Sequence, residues 1–343
     1  PPGRAFLDVV APQLLPSLLT AALLTFIFTF MSFPIVLALG GLELATVEVW
    51  LFARVRDLAL AEAAALGTIE TVVSLALTYL YLRYEGRQLG GRESGTPLER
   101  IPLVDGARTL ADPRRVALLA YAAVVVVVFG GPLVSMVVES VTTPEGAFTT
   151  AYWTFLAERQ ASAATGTVRP LPAVLNSLLF GVGTLLLAVP MGVVVGVLGA
   201  RGGSGSRLAE AGLSAPLAVS GVVLGVGMLQ TLVFGTVLFD RRIVLAGPVA
   251  IVLAHAVAAY PFVTRTVAPA LGDLDERVHD AARVLGASEA RALVDVDLPL
   301  VAPAVLAGAA FAFAISVGEF DSTVLLAQGA DSYTMPVALE RYV

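Results

Sequence analysis

Few side chains in this sequence can act on a charged partner. Glu319 and Asp321 stand beside Ser316 in the otherwise apolar stretch FAISVGEFDSTVLLAQ. Ionisable groups at membrane depth are costly to bury and usually face a pore or a partner group. On a translocation pathway they would attract a cation or the cationic part of a substrate. Near the outer interface they would instead fix helix packing. His255 and His279 are the only histidines. His255 lies in an apolar run and reads as a packing or hydrogen-bonding residue, and His279 reads as solvated. Two histidines so far apart make no metal site by spacing.

The absences narrow the chemistry further. There is no cysteine, and all 21 basic residues are arginine. A phosphate-binding loop needs a lysine on the nucleotide phosphates, so ATP used with this chain must be bound by another. Schiff-base catalysis is excluded on the same ground. No Gly-x-Ser-x-Gly elbow or His-Glu-x-x-His helix occurs, which removes two familiar hydrolytic arrangements. Basic residues are spread among loops without an aromatic-basic stripe, so nucleic acid is not an expected partner. No cofactor is expected.

A second set of residues has spacing suited to docking. Residues 273–303 form a polar island between apolar runs. Asp273 and Glu276 have the separation of a helix-capping box. The helix they would start passes through Asp280, Ala281, Ala282 and Leu285. Gly286 sits where helices commonly stop in a left-handed turn, and Ser288 can cap a second short helix that leads to Val296, Leu298 and Pro299.

The elements that must position these residues follow from composition. The chain is 57% hydrophobic and 14% charged, with a mean hydropathy of +0.86, whereas soluble domains are about 25% charged. An all-α, multi-pass integral membrane protein is expected, a bundle of about seven spans in the cell membrane. Apolar runs extend over about 14–39, 58–82, 116–138, 174–199, 213–238, 243–264 and 300–327. A crossing needs roughly 20 apolar residues. Residues 83–115 carry seven arginines and five acids, which reads as a cytoplasmic linker. Alternating from it, the loop 139–171 falls outside, 201–207 inside and 273–299 inside. The loop bearing Arg241 and Arg242 falls outside, against the arginine rule.

The docking residues resemble the coupling helix of permease subunits of binding-protein-dependent ABC importers. That motif reads Glu-Ala-Ala, a Gly four positions after the second Ala, and an aliphatic-x-Leu-Pro beginning ten positions after the Gly. Here it is Asp280-Ala281-Ala282, Gly286 and Val296-Asp297-Leu298-Pro299. Asp replaces Glu at the first position. The resemblance implies docking through Asp280, Ala281, Ala282, Leu285, Gly286, Val296, Leu298 and Pro299 onto a cytoplasmic ABC ATPase dimer. It also implies an extracytoplasmic substrate-binding protein as partner. Ser316, Gly318, Glu319, Phe320, Thr334 and Pro336, with Ser32, Phe33, Gly40, Gly41, Thr46 and Glu48, are similar to fused two-half permeases for thiamine and for ferric iron.

An internal repeat organises the whole. With a shift of 287 residues, Arg4, Ala5, Asp8, Val9, Pro12, Pro16, Leu19, Ala22, Phe26 and Phe33 meet identical residues from Arg291 to Phe320, ten in thirty positions without a gap. Residues 1–82 are thus expected to be the last two spans of one six-helix half, 83–115 a linker, and 116–343 the first five spans of a second half. That makes the sequence part of a longer fused chain of about 570 residues. A secondary transporter would explain the repeat but not the docking motif. A membrane-embedded enzyme or scaffold would need convergent groups at depth, and Glu319, Asp321 and His255 have no partners evident in the sequence.

Overall fold

The computed structural model describes residues 4, 11–41, 43, 46–89, 113–157, 170–201, 212–213, 215–238 and 240–341. It divides into two compact units, residues 1–88 with 162–343, and residues 89–161.

In the larger unit, α1 (Ala11–Phe30) breaks at Met31–Phe33 and resumes as α2 (Pro34–Gly40). The two helices bend by 57° where they meet. Pro34 explains the break, because a proline removes a helix hydrogen bond and disfavours helix at the preceding residue. Gly41, at φ +55°, ends α2. Thr46 then caps α3 (Val47–Arg56), its hydroxyl accepting the Val49 N–H at 3.5 Å. The helix α4 (Leu60–Leu89) runs seven residues beyond the expected end at Leu82. It includes part of the expected linker, of which residues 90–112 lie outside the described residues.

The core of this unit is three helices: α7 (Pro170–Arg201), α9 (Pro248–Gly272) and α12 (Ala302–Gly318). Glycines let the backbones close. A Cβ on Gly192 would lie 2.8 Å from the Tyr260 carbonyl oxygen, and one on Gly308 would lie 2.9 Å from the Val263 Cα. The Gly-x-x-x-Gly spacings at 192/196 and 221/225 therefore mark real packing sites. Asn176 of α7 donates to the carbonyls of Asp331 and Tyr333, and Ser177 accepts the Met335 N–H at 2.8 Å. These bonds pin the turn before α14 (Met335–Glu340).

The expected span at 213–238 is corrected. Residues 215–218 form a 3₁₀ turn and Ser220 caps α8 (Gly221–Met228), which continues as a π turn to Val233. At 1.5 Å per residue this stretch is about 20 Å long, short of a bilayer core of about 30 Å. Gly235, at φ +81°, ends it, and the chain enters a hairpin of β1 (Thr236–Leu238) and β2 (Arg241–Ile243). Among the described residues, four helices are long and apolar enough to cross a membrane, or up to six if each of two bent pairs counts as one span. The smaller unit holds one of the four, α5 (Pro113–Glu139), and the short α6 (Ala151–Ala157). The protein is a multi-pass, helical membrane protein.

Candidate functional site

Two regions carry the residues singled out above. The first begins where α9 ends. Asp273 is the C-cap of α9, its N–H bonded to the Pro269 carbonyl. It is thus spent on ending one helix. Asp275, not Asp273, caps α10 (Glu276–Val284), accepting the Arg277 N–H at 3.0 Å. The cap falls two residues later than expected, and it is a simple N-cap and not a capping box, because the position three residues on is Val278.

Gly286 adopts φ +95°. Its N–H bonds the Arg283 carbonyl, and the Ala287 N–H bonds the Ala282 carbonyl. This pair of bonds is the Schellman closure of a helix C-terminus. Ser288 then caps α11 (Glu289–Ala292). A π turn and one further helical turn, Leu298–Leu300, lead through a 79° bend into α12. Val284 and Leu285, at the apex of the turn, are 87% and 88% exposed. Asp280, Ala281, Gly286 and Pro299 are exposed as well, while Ala282, Val296 and Leu298 are half-buried beneath them. The side chain of His279 lies outside the described residues.

The second region is buried. His255 of α9 is fully enclosed, with Nδ1 2.8 Å from the Ser316 hydroxyl and Nε2 2.7 Å from the Thr323 hydroxyl. Nε2 also lies 3.1 Å from the Glu319 carboxylate. Ser316 reaches Thr184 of α7 at 3.0 Å. The Glu319 carboxylate further accepts the N–H groups of Ser322 and Thr323 at 2.8 and 3.1 Å, at the start of α13 (Thr323–Leu326). The hydroxyl of Thr323 donates to it at 2.5 Å. Glu319 and His255 therefore pair, contrary to the expectation that these groups stand unpartnered. Glu319 joins α9, α12 and α13, and its oxygens are occupied.

Asp321 turns the other way. Its Cβ lies 2.6 Å from where a Cβ on Gly221 would be, at the N-terminus of α8. On the same side is Glu48, fully buried in the first turn of α3, with Glu70 of α4, Ser220 and Asp321 as its polar neighbours. The Glu48 carboxyl lies within hydrogen-bonding reach of the Glu70 carboxyl and the Ser220 hydroxyl, and no basic group is among these neighbours. Glu70 was not among the residues singled out, although an acid in the middle of an apolar run was the available signal. His255 hydrogen-bonds as its sequence reading had it, but its partners and Thr184 were missed for a different reason, since these bonds span 61 to 132 residues of sequence.

Residues 188–343, which include the turn at Gly286 and the buried histidine network apart from Thr184, match the binding-protein-dependent transport system inner membrane component family. Among curated relatives, the molybdenum transport system permease protein ModB of Haemophilus influenzae is 37% identical over 94 residues, 27% of this chain and 41% of the relative. The sulfate transport system permease protein CysT of Salmonella typhimurium is 40% identical over 77 residues, 22% and 28% of the two chains. The molybdate/tungstate transport system permease protein WtpB of Pyrococcus abyssi is 28% identical over 156 residues, 45% and 60%. The chain spans about two fifths of the length of the first two relatives, both named ModB.

Proposed function

We propose that this chain is the transmembrane permease of an ATP-driven importer. It forms the pathway and couples it to separate ATPase subunits, and an extracytoplasmic binding protein delivers the substrate. The observation that carries this reading is the turn at Gly286. A rigid, capped helix–turn–helix holds two bare aliphatic side chains at its apex, and one bend joins it to a core helix. A load placed on that apex would be transmitted to α12 through a short, hydrogen-bonded path. The chain has no lysine with which to build a nucleotide site of its own.

The same reading gives residues 1–82 and 116–343 to two repeated halves, with 83–115 between them. It places Glu319 and Ser316 in the packing beside the pathway and leaves Asp321, with Glu48 and Glu70, closest to it. Buried carboxyls gathered without a basic partner are costly and favour a cationic substrate, which keeps thiamine or ferric iron as the preferred class. A second reading, an oxyanion such as molybdate or sulfate, is favoured by the names of the relatives. An anion would have to pass acids in this seam, so we rank it below the first.

The coupling test is Gly286→Val in the complete transporter, with substrate-stimulated ATP hydrolysis and uptake as readouts. A β-branched residue at φ +95° is strained by roughly 1–2 kcal/mol, and the turn should open. Loss of stimulation with normal membrane insertion is the expected result. Full stimulated uptake by the variant would show that the turn does not couple.

A further inference from the structure

Phe33 and Phe320 are repeat mates, separated by the 287 residues of the internal shift. They also touch. Both rings are buried and stack with centroids 5.7 Å apart and planes 21° from parallel. Each lies in the non-helical break between a long helix and a short one, α1 and α2 in one half, α12 and α13 in the other. When a residue contacts its own mate, the operation relating the two halves has its axis between them.

The surrounding clefts identify that operation. A cavity of about 400 Å³ lies where Leu37 and Ala38 of α2 face Pro336 and Leu339 of α14. A second, of about 390 Å³, lies where Val324 and Leu325 of α13 face Phe52 and Val55 of α3. Leu37 and Ala38 are the mates of Val324 and Leu325 under the same shift. Each cleft thus joins the short helix of one half to the post-turn helix of the other. Such reciprocal exchange is the mark of a two-fold relation. The near-equal volumes fit it.

We propose that Phe33 and Phe320 are the closed gate of the pathway, stacked across the pseudo-two-fold axis of the permease. The proposal rests on the permease reading above. A substrate that contacts both halves equally must travel along their common axis, and on that axis the stacked rings occupy the lumen. The carbonyls of Phe33 and Phe320 accept the first bonds of the short helices, from the N–H groups of Leu37 and Val324 at 2.9 and 2.8 Å, so each ring can swing with its short helix while α1 and α12 stay intact. Asp321 follows Phe320 directly, which sets the acids of the seam beside the gate.

These 343 residues contain no cysteine, so Phe33→Cys with Phe320→Cys, made in the complete transporter, gives a pair with no background thiol among them. A protease site introduced within 83–115 separates the halves unless a short bifunctional methanethiosulfonate reagent links them. The expected result is a cross-link in the absence of substrate and ATP. Uptake should fall to background when it forms and return with reductant to the level of the untreated double variant, while the reagent leaves each single-cysteine variant at that variant's own untreated level. An absent cross-link overturns the axis, and a cross-linked protein that still transports overturns the gate. The cross-link alone reads the contact, and wild-type uptake reads the permease assignment, so the two fail separately. Phe33→Leu with Phe320→Leu keeps most of the buried volume. It should raise ATP-independent leak of a small solute from proteoliposomes severalfold, and a wild-type leak counts against the gate.

Discussion

A single histidine does more for this molecule than its sequence context suggests. His255 sits among apolar residues of α9, and the groups it holds come from elsewhere: Ser316 on α12, Glu319 in the following break and Thr323 at the start of α13. Removing it leaves a buried carboxylate and two hydroxyls short of a partner. Leaving a buried hydrogen-bonding group unsatisfied costs about 1–3 kcal/mol, more for a carboxylate, so His255→Ala should lower the midpoint of thermal unfolding in detergent by several degrees. A midpoint like that of the wild type would mean that the network contributes nothing. The types of these residues were visible in the sequence, and Glu319 and Ser316 were picked out for that reason. Their roles were not visible, because hydrogen bonds between helices leave no periodicity along the chain. The reading of Glu319 as a pathway group therefore gives way to one in which its oxygens are used up in joining three elements.

At the scale of elements, apolar length found most of the helices and local rules found their ends. Gly286 is left-handed, Ser288 caps, and Gly41 closes α2. The rules erred where two elements compete for one residue. Asp273 has the right spacing to cap α10, yet it is taken by the end of α9, and Asp275 does the capping. An N-cap carboxylate contributes about 1 kcal/mol to its helix. Asp275→Ala should then speed amide hydrogen exchange through 276–284 by roughly fivefold, while Asp273→Ala should not. Equal effects of the two would return the cap to Asp273. The run at 213–238 failed differently. Glycine and valine keep hydropathy high through a short helix, a π turn and a strand alike, so composition alone cannot see the hairpin.

At the scale of the whole molecule, the two halves proposed from the repeat would meet in a polar seam. Glu48 and Glu70 lie within residues 1–82, Ser220 and Asp321 within 116–343, and the other three gather around the Glu48 carboxyl. A carboxyl held away from water without a basic partner destabilises a fold by roughly 1–3 kcal/mol. A fold that keeps two of them has a use for negative charge there, or for the means to accept a proton. The double variant Glu48→Gln with Glu70→Gln separates use from accident. It preserves shape and hydrogen-bonding capacity, so the protein should unfold at the same temperature or higher. If the seam serves a cation, uptake of labelled thiamine or ferric iron should fall about tenfold or more, the loss of roughly 1.4 kcal/mol of favourable interaction. If the substrate is an oxyanion, the same change removes repulsion, and uptake of molybdate or sulfate should hold or rise. A variant more stable than the wild type, with cation uptake unchanged, would remove these acids from the pathway and leave the substrate's charge to be decided by the binding protein alone.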